Sequence, residues 1–69
     1  MTPARKAALQ WFFDLGEVGP SEMADPSAPT YAMHQRMAAH GQIEGFFGAT
    51  EIKFRLTDKG RRDLHEAAE

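Results

Sequence analysis

Three histidines are the first residues whose side chains could take part in chemistry: His34, His40 and His65. His34 and His40 stand six positions apart, which does not place them on one helix face at the spacing of metal ligands. The chain also has no cysteine, so thiolate ligands and disulfides are excluded. We therefore predict no metal site, and we expect His34 to pack half-buried beneath a helix.

The sequence carries no recognisable pattern for enzymatic chemistry. No nucleophile stands beside a base, no glycine-rich loop could cradle a phosphate, and no carboxylate pair lies in an evident cleft. We therefore predict neither an enzyme nor a cofactor, and we look for a binding surface instead.

Basic residues are unevenly distributed along the 69-residue chain, whose net charge is −2. Positions 1–26 hold two basic and four acidic residues, whereas positions 27–62 hold six basic and three acidic residues. Such an asymmetry can build a basic surface on an acidic protein. The basic residues of the second segment are Arg36, Lys53, Arg55, Lys59, Arg61 and Arg62.

Caps and apolar periodicity predict the helices that would position these cations. Thr2-Pro3 opens a helix of about residues 3–15, with Leu9, Phe12 and Phe13 on its apolar face. After a short connection through Val18, a second helix covers about residues 20–25 and a third about residues 29–40.

The third helix should begin at Pro29 and stop at Gly41. Its spacing predicts one inward and one outward face. The inward residues are Tyr31, His34, Met37 and Ala38, and the outward residues are Thr30, Ala32, Met33 and Arg36.

After Gly41 the apolar period changes from helical to alternating, which predicts strands of about residues 42–47 and 51–56. A two-residue turn at Gly48-Ala49 would pair Ile43 with Phe54 and Gly45 with Ile52 on the core side. On the solvent side it would pair Glu44 with Lys53, Gln42 with Arg55, and Phe46 with Glu51. A last helix of about residues 58–67 begins at Thr57-Asp58, and its Leu64 closes the core.

Three segments follow one another in the order of a known fold. Ser21-Glu22-Met23-Ala24 is similar to the start of a second helix, and His40-Gly41-Gln42-Ile43-Glu44 to a glycine hinge between a recognition helix and a first wing strand. Residues 54–64, Phe-Arg-Leu-Thr-Asp-Lys-Gly-Arg-Arg-Asp-Leu, are similar to a second wing strand that runs into a final helix. In these segments the chain resembles bacterial winged-helix transcription regulators of the MarR and PadR type.

The resemblance implies an α+β fold of the winged helix-turn-helix type as one domain over residues 1–69. Such a domain has a three-helix core, a two-stranded β-hairpin wing and a C-terminal helix. It also implies that the third helix enters the major groove of double-stranded DNA while the wing touches backbone or minor groove. The expected DNA-contacting residues are Thr30, Met33, Arg36, Lys53, Arg55, Arg61 and Arg62.

These cations also have plainer interpretations. Arg36 could be a solvated helix-surface residue, Lys53 could pair across the hairpin with Glu44, and Arg61 and Arg62 could lie on an ordinary solvated face. Our leading hypothesis is a DNA-binding protein, a small bacterial or phage transcription regulator or accessory protein, with a homodimer as one option.

A second hypothesis is a winged-helix module that binds protein and does not bind DNA. The partner would be a second copy of the chain or another protein, bound through Met33, Phe46 and Phe47. Exposed aromatic residues and methionine are enriched in protein interfaces, although Phe47 could turn inward. No stretch resembles a secretory signal or a membrane span, so we expect a cytoplasmic protein.

Overall fold

A computed structural model of the chain describes residues 1–68, and of Ala68 the backbone alone. Within these residues the elements are α1 (Pro3–Leu15), α2 (Pro20–Met23), α3 (Tyr31–Ala39), β1 (Ile43–Phe47), β2 (Ile52–Leu56) and α4 (Asp58–Ala68). The α+β class and the order of helices, antiparallel hairpin and closing helix are confirmed. Glu69, the last residue of the expected domain, lies outside the described residues.

The ends of α3 are set by a threonine cap and a glycine. The hydroxyl of Thr30 accepts the backbone N–H of Met33 at 3.2 Å, which makes Thr30 the N-cap and places the first helical residue at Tyr31. The helix therefore begins two residues after the predicted Pro29. At its other end Gly41 has φ 69°, a left-handed conformation that releases the chain into the hairpin as predicted.

Apolar side chains from all six elements and from the connection at Val18 form the core, to which α2 contributes the half-buried Met23. The buried residues are Ala8, Leu9, Phe12, Val18, Met37, Ile43, Leu56 and Leu64. The expected core position of Phe13 is wrong, because its side chain is 55% exposed. Phe13 follows Phe12 by about 100° around α1, and this rotation brings it to the edge of the groove between α1 and α4.

The hairpin register differs by two residues from the predicted one. Ile43 lies opposite Leu56 and Gly45 opposite Phe54, around a turn centred on Ala49–Thr50. The N–H of Gly48 closes this turn by donating to the carbonyl of Glu51 at 2.8 Å, so the predicted turn at Gly48-Ala49 is wrong. Because side chains alternate with period two, a shift of two changes every cross-strand partner and leaves the residues of β1 and β2 on their predicted faces.

Val18 joins the hairpin as a single bridging residue. Its N–H donates to the carbonyl of Phe54 at 2.8 Å, and the N–H of Phe54 donates back to the carbonyl of Val18 at 2.8 Å. Val18 is fully buried. These two hydrogen bonds attach the connection between α1 and α2 to β2. The sequence does not predict this contact, because a single residue has no periodic pattern that would mark it as part of a sheet.

Gln42 and Gly60 join the base of the hairpin to α4. Gln42 is expected on the solvent side, but it is only 3% exposed, and its Nε2 donates to Oδ2 of Asp63 at 2.9 Å. The reason is that Gln42 precedes the strand ladder, and α4 covers it. Gly60 faces the backbone carbonyl of Gln42 so closely that a Cβ there would collide with it. Glycine is therefore required at position 60 by close approach.

Candidate nucleic-acid interface

The outward face of α3 is centred on Gln35. The exposed residues of this helix are Tyr31, Ala32, Gln35, Arg36, Ala38 and Ala39. Met37, which points to the opposite side, is completely buried as predicted. The predicted inward positions of Tyr31 and Ala38 are wrong, since Tyr31 is 75% exposed and Ala38 is also exposed.

Met33 is turned toward the protein, which contradicts its predicted outward position. It is half-buried, packs against the core and lines a groove with Trp11 of α1. The exposed face is thus rotated by about one residue position, or about 100°, from the predicted one. Tyr31 and Met33 are both apolar, so periodicity alone does not decide which of them turns inward. Met33 is accordingly removed from both the DNA-contacting set and the protein-interface set.

The Tyr31 and Gln35 side chains are joined on this face. The Nε2 of Gln35 donates to the hydroxyl of Tyr31 at 2.8 Å, an i to i+4 pair along the helix. Neither residue is among the predicted contact residues. The sequence does not reveal this pair because it does not fix the rotation of α3 about its own axis. Only when both side chains are known to face outward can Tyr31 and Gln35 be recognised as contact residues.

Helix α3 carries one arginine and no acidic residue. The sequence has no acidic residue between Asp25 and Glu44, a stretch that contains the whole helix. Arg36 is exposed and belongs to none of the three ion pairs formed among residues 1–68. Thr30 is exposed at the start of the helix, where its hydroxyl is engaged in the cap. Arg36 can therefore receive an anionic or hydrogen-bonding partner without first releasing a carboxylate.

The cations of the wing differ in availability. Arg55 donates from Nε to Oε1 of Glu44 at 3.0 Å, and its guanidinium lies 4.5 Å from the centroid of the Phe46 ring. The predicted pairing of Lys53 with Glu44 is wrong because the register places Arg55 there. Lys53 is half-buried opposite Phe46 and forms no ion pair within the described residues.

Two of the three cations on α4 are paired. Arg61 contacts Asp58 at 3.0 Å and Lys59 contacts Asp63 at 3.0 Å, whereas the exposed Arg62 has no ion pair in the part of the chain described. Hydrogen bonds from Gln42 and then Lys59 hold the pKa of Asp63 below its usual value. Exposed pairs of this kind are weak, so phosphates could replace the carboxylates.

A groove at the base of the hairpin brings three of the cations together. Arg55, Lys59 and Arg61 line it together with the carboxylates Glu44 and Asp58. Lys59 is missing from the predicted set, and its position beside Gly41 depends on how α4 docks. Arg36, Lys53 and Arg62 do not line this groove.

The tip of the wing carries an exposed apolar pair. Phe47 is 88% exposed and lies directly opposite Ile52, which is 51% exposed. Both belong to the core-facing side of the hairpin but extend beyond the core. Phe46 is half-buried and covered by Arg55, so it does not offer the free aromatic surface that the second hypothesis assigns to it.

The side chain of His34 on α3 is half-buried, as predicted. Its ring meets Phe54 edge-on, with 4.6 Å between centroids, and lies 6.0 Å from the ring of Phe12. Its Nε2 is buried and has no hydrogen-bond partner within residues 1–68. Burial lowers the pKa of His34, since an apolar surrounding disfavours the charged imidazolium.

Across residues 1–68, none of the helices combines the length and the apolar character that crossing a membrane requires. Comparison with known protein families and with curated proteins finds no match to this chain.

Proposed function

We propose that this chain is a winged-helix DNA-binding domain of a small transcription regulator or accessory protein. In this proposal α3 lies in the major groove of double-stranded DNA and the hairpin acts as the wing against the backbone. The observation that carries the proposal is the exposed face of α3, which is free of acidic residues and presents Gln35 and Arg36 among alanines. The order of α2, α3 and hairpin supports the same arrangement.

The dimensions of α3 suit a major groove. Its nine residues span about 14 Å at 1.5 Å per residue, and the groove is about 12 Å wide. Alanines at positions 32, 38 and 39 keep the helix narrow on its outward side. Arginine can pair bidentately with guanine and glutamine with adenine, so both polar groups of this face are suited to base edges.

The ion pairs set the expected salt dependence. Lys53 and Arg62 are unpaired among residues 1–68, while Arg55 and Arg61 must exchange a carboxylate for a phosphate. With Arg36 on a base edge, two phosphate contacts predict a slope of log affinity against log salt of about −1.8, and four predict about −3.6. We expect a measured slope between these values.

Fluorescence anisotropy with a labelled short duplex at low salt tests the proposal. Arg36→Ala should weaken binding by about 1–3 kcal/mol if its guanidinium contacts a base. Lys6→Ala is the matched control, because Lys6 is an exposed cation on α1 and its removal changes the net charge equally. No binding of the wild type to any duplex at low salt, or equal losses in the two variants, would contradict the proposal.

The apolar wing tip supports one competing candidate, an association module without DNA binding. Phe47 and Ile52 form a compact exposed patch, and a second copy of the chain would offer the same patch for a two-fold contact. Sedimentation of Phe47→Ala should then show loss of the dimer, with Phe13→Ala as a control at another exposed phenylalanine, on α1. Duplex binding by the wild type, together with unchanged sedimentation of Phe47→Ala, would reject this candidate.

A further inference from the structure

Gln35 lies at the centre of the exposed face of α3. It is exposed and points nearly opposite to the buried Met37, at about 160° around the helix. Besides Tyr31, the exposed positions one turn away from Gln35 are alanines 32, 38 and 39. These alanines allow a partner to come within hydrogen-bonding distance of the Gln35 amide.

The hydroxyl of Tyr31 holds this amide in place. The Nε2 of Gln35 donates one hydrogen to it at 2.8 Å, while the carbonyl oxygen Oε1 accepts no hydrogen bond from the described residues. A primary amide has two N–H donors and one carbonyl acceptor. After the bond to Tyr31, one donor and the acceptor of this exposed side chain remain without a partner among the described residues.

This remaining pair matches one base edge in the major groove. Adenine presents N7 as an acceptor beside the N6 amino group as a donor, which a glutamine amide can satisfy bidentately. Guanine presents two acceptors, N7 and O6, so the Gln35 carbonyl would face an oxygen and lose a bond. The preorganised amide therefore discriminates adenine from guanine at one position.

We infer that Gln35 is a specificity-determining residue that reads an adenine in the major groove, and that Tyr31 is its positioning residue. This inference rests on the proposed DNA-binding function. It adds the base that is read and the hydrogen-bond pair that reads it. Arg36, the adjacent residue, then contacts a neighbouring base or phosphate.

Selection of duplexes from a random library tests the base preference separately from binding itself. The wild type should enrich one adenine position by about tenfold or more over the other bases, consistent with a bidentate pair. Gln35→Ala should lose this enrichment while still retaining duplexes. Lys53→Ala, a control at a wing cation, should weaken binding to all sequences and keep the adenine.

The variant Tyr31→Phe tests whether Tyr31 positions the Gln35 amide. It removes the hydroxyl and keeps the ring, so the preference for adenine over the other bases should fall several-fold. Both side chains are exposed, so circular dichroism should show folded variants. A preference unchanged in Tyr31→Phe would overturn the positioning role.

A modified base tests the contact to adenine without changing the protein, so a purely structural role of Gln35 would not affect the result. Replacing the selected adenine by 7-deazaadenine removes the N7 acceptor and with it one of the two hydrogen bonds, so wild-type affinity should fall part of the way to that of Gln35→Ala on the unmodified site. Duplex binding with no adenine preference, or with no effect of the deaza base, would overturn the inference and leave DNA binding standing. A complete absence of duplex binding would instead reject the proposed function and the inference with it.

Discussion

Replacing Gly60 by alanine tests the contact that holds the hairpin against α4. A Cβ at this buried position would collide with the backbone carbonyl of Gln42 and would approach Cδ2 of Leu56 to 3.1 Å. That carbonyl accepts the N–H of Thr57 at 3.0 Å and belongs to the backbone, so it cannot rotate away. In an unhindered helix, by contrast, alanine is about 1 kcal/mol more favourable than glycine.

The expected loss follows from what must move. If α4 shifts outward, the bonds from Thr57 to the Gln42 carbonyl and from the Gln42 amide to Asp63 weaken, at about 1 kcal/mol each. Looser packing around Leu56 costs about 1–2 kcal/mol more. After the gain of about 1 kcal/mol in helix propensity, the net loss in free energy of unfolding is about 2–3 kcal/mol. In a domain of this size that lowers Tm by about 8–24 °C.

Thermal and urea unfolding followed by circular dichroism would measure this loss. Gly45→Ala is the matched control, because a Cβ at Gly45 would meet the Phe54 ring at 3.1 Å, and a side chain can yield where a backbone carbonyl cannot. We expect Gly45→Ala to be clearly less destabilised than Gly60→Ala. A Gly60→Ala protein that melts at or above the wild-type temperature would refute the close docking of α4 on the hairpin.

Three further predictions concern the hinge, the buried histidine and the wing. Gly41→Val should lose about 1–2 kcal/mol in urea unfolding, because φ 69° is a left-handed conformation that a branched residue resists; unchanged stability would disprove the hinge geometry. Burial places the folded-state pKa of His34 below its ordinary 6.5, so the unfolded chain takes up the proton first and stability should fall as pH drops through the region below 6.5. In unfolding measurements from about pH 7 to about pH 5, His34→Leu should lose less stability than the wild type, and parallel curves would speak against this assignment. Glu44→Gln should free Arg55 and steepen the salt slope of duplex binding by about 0.9, whereas Glu51→Gln removes the same charge without freeing Arg55 and should not.

The local signals in this chain identified its elements. Thr2 supplies a side-chain oxygen for a helix start, and Gly16 and Gly41 supply positive φ for helix ends, so these boundaries follow from nearby residues alone. The start of α3 was predicted two residues early, at Pro29, because the cap of this helix is Thr30. Alternation after Gly41 likewise indicated the hairpin and which faces of its strands turn inward. The alternating pattern could not exclude the wrong register, because two registers that differ by two residues place the same side chains on the same face of the hairpin.

The candidate surface was only partly predictable for the same reason. Arg36 was identified because a charged residue on a helix faces outward in almost any packing. Tyr31, Met33 and Gln35 were misplaced or passed over, since the rotation of α3 depends on its packing against α1 and the hairpin.

The amino-acid sequence alone determined the class and order of the elements, the turn out of α3 at Gly41 and the absence of acidic residues from that helix. These properties depend on neighbours a few positions apart. Tertiary structure decided that Tyr31 and Gln35 face outward, that Val18 bridges to Phe54, and that α4 docks over Gln42. Those outcomes depend on contacts between residues distant along the chain. Which of these contacts form is decided by the free-energy difference between alternative packings of the whole chain, and such contacts produce no periodic pattern in the sequence.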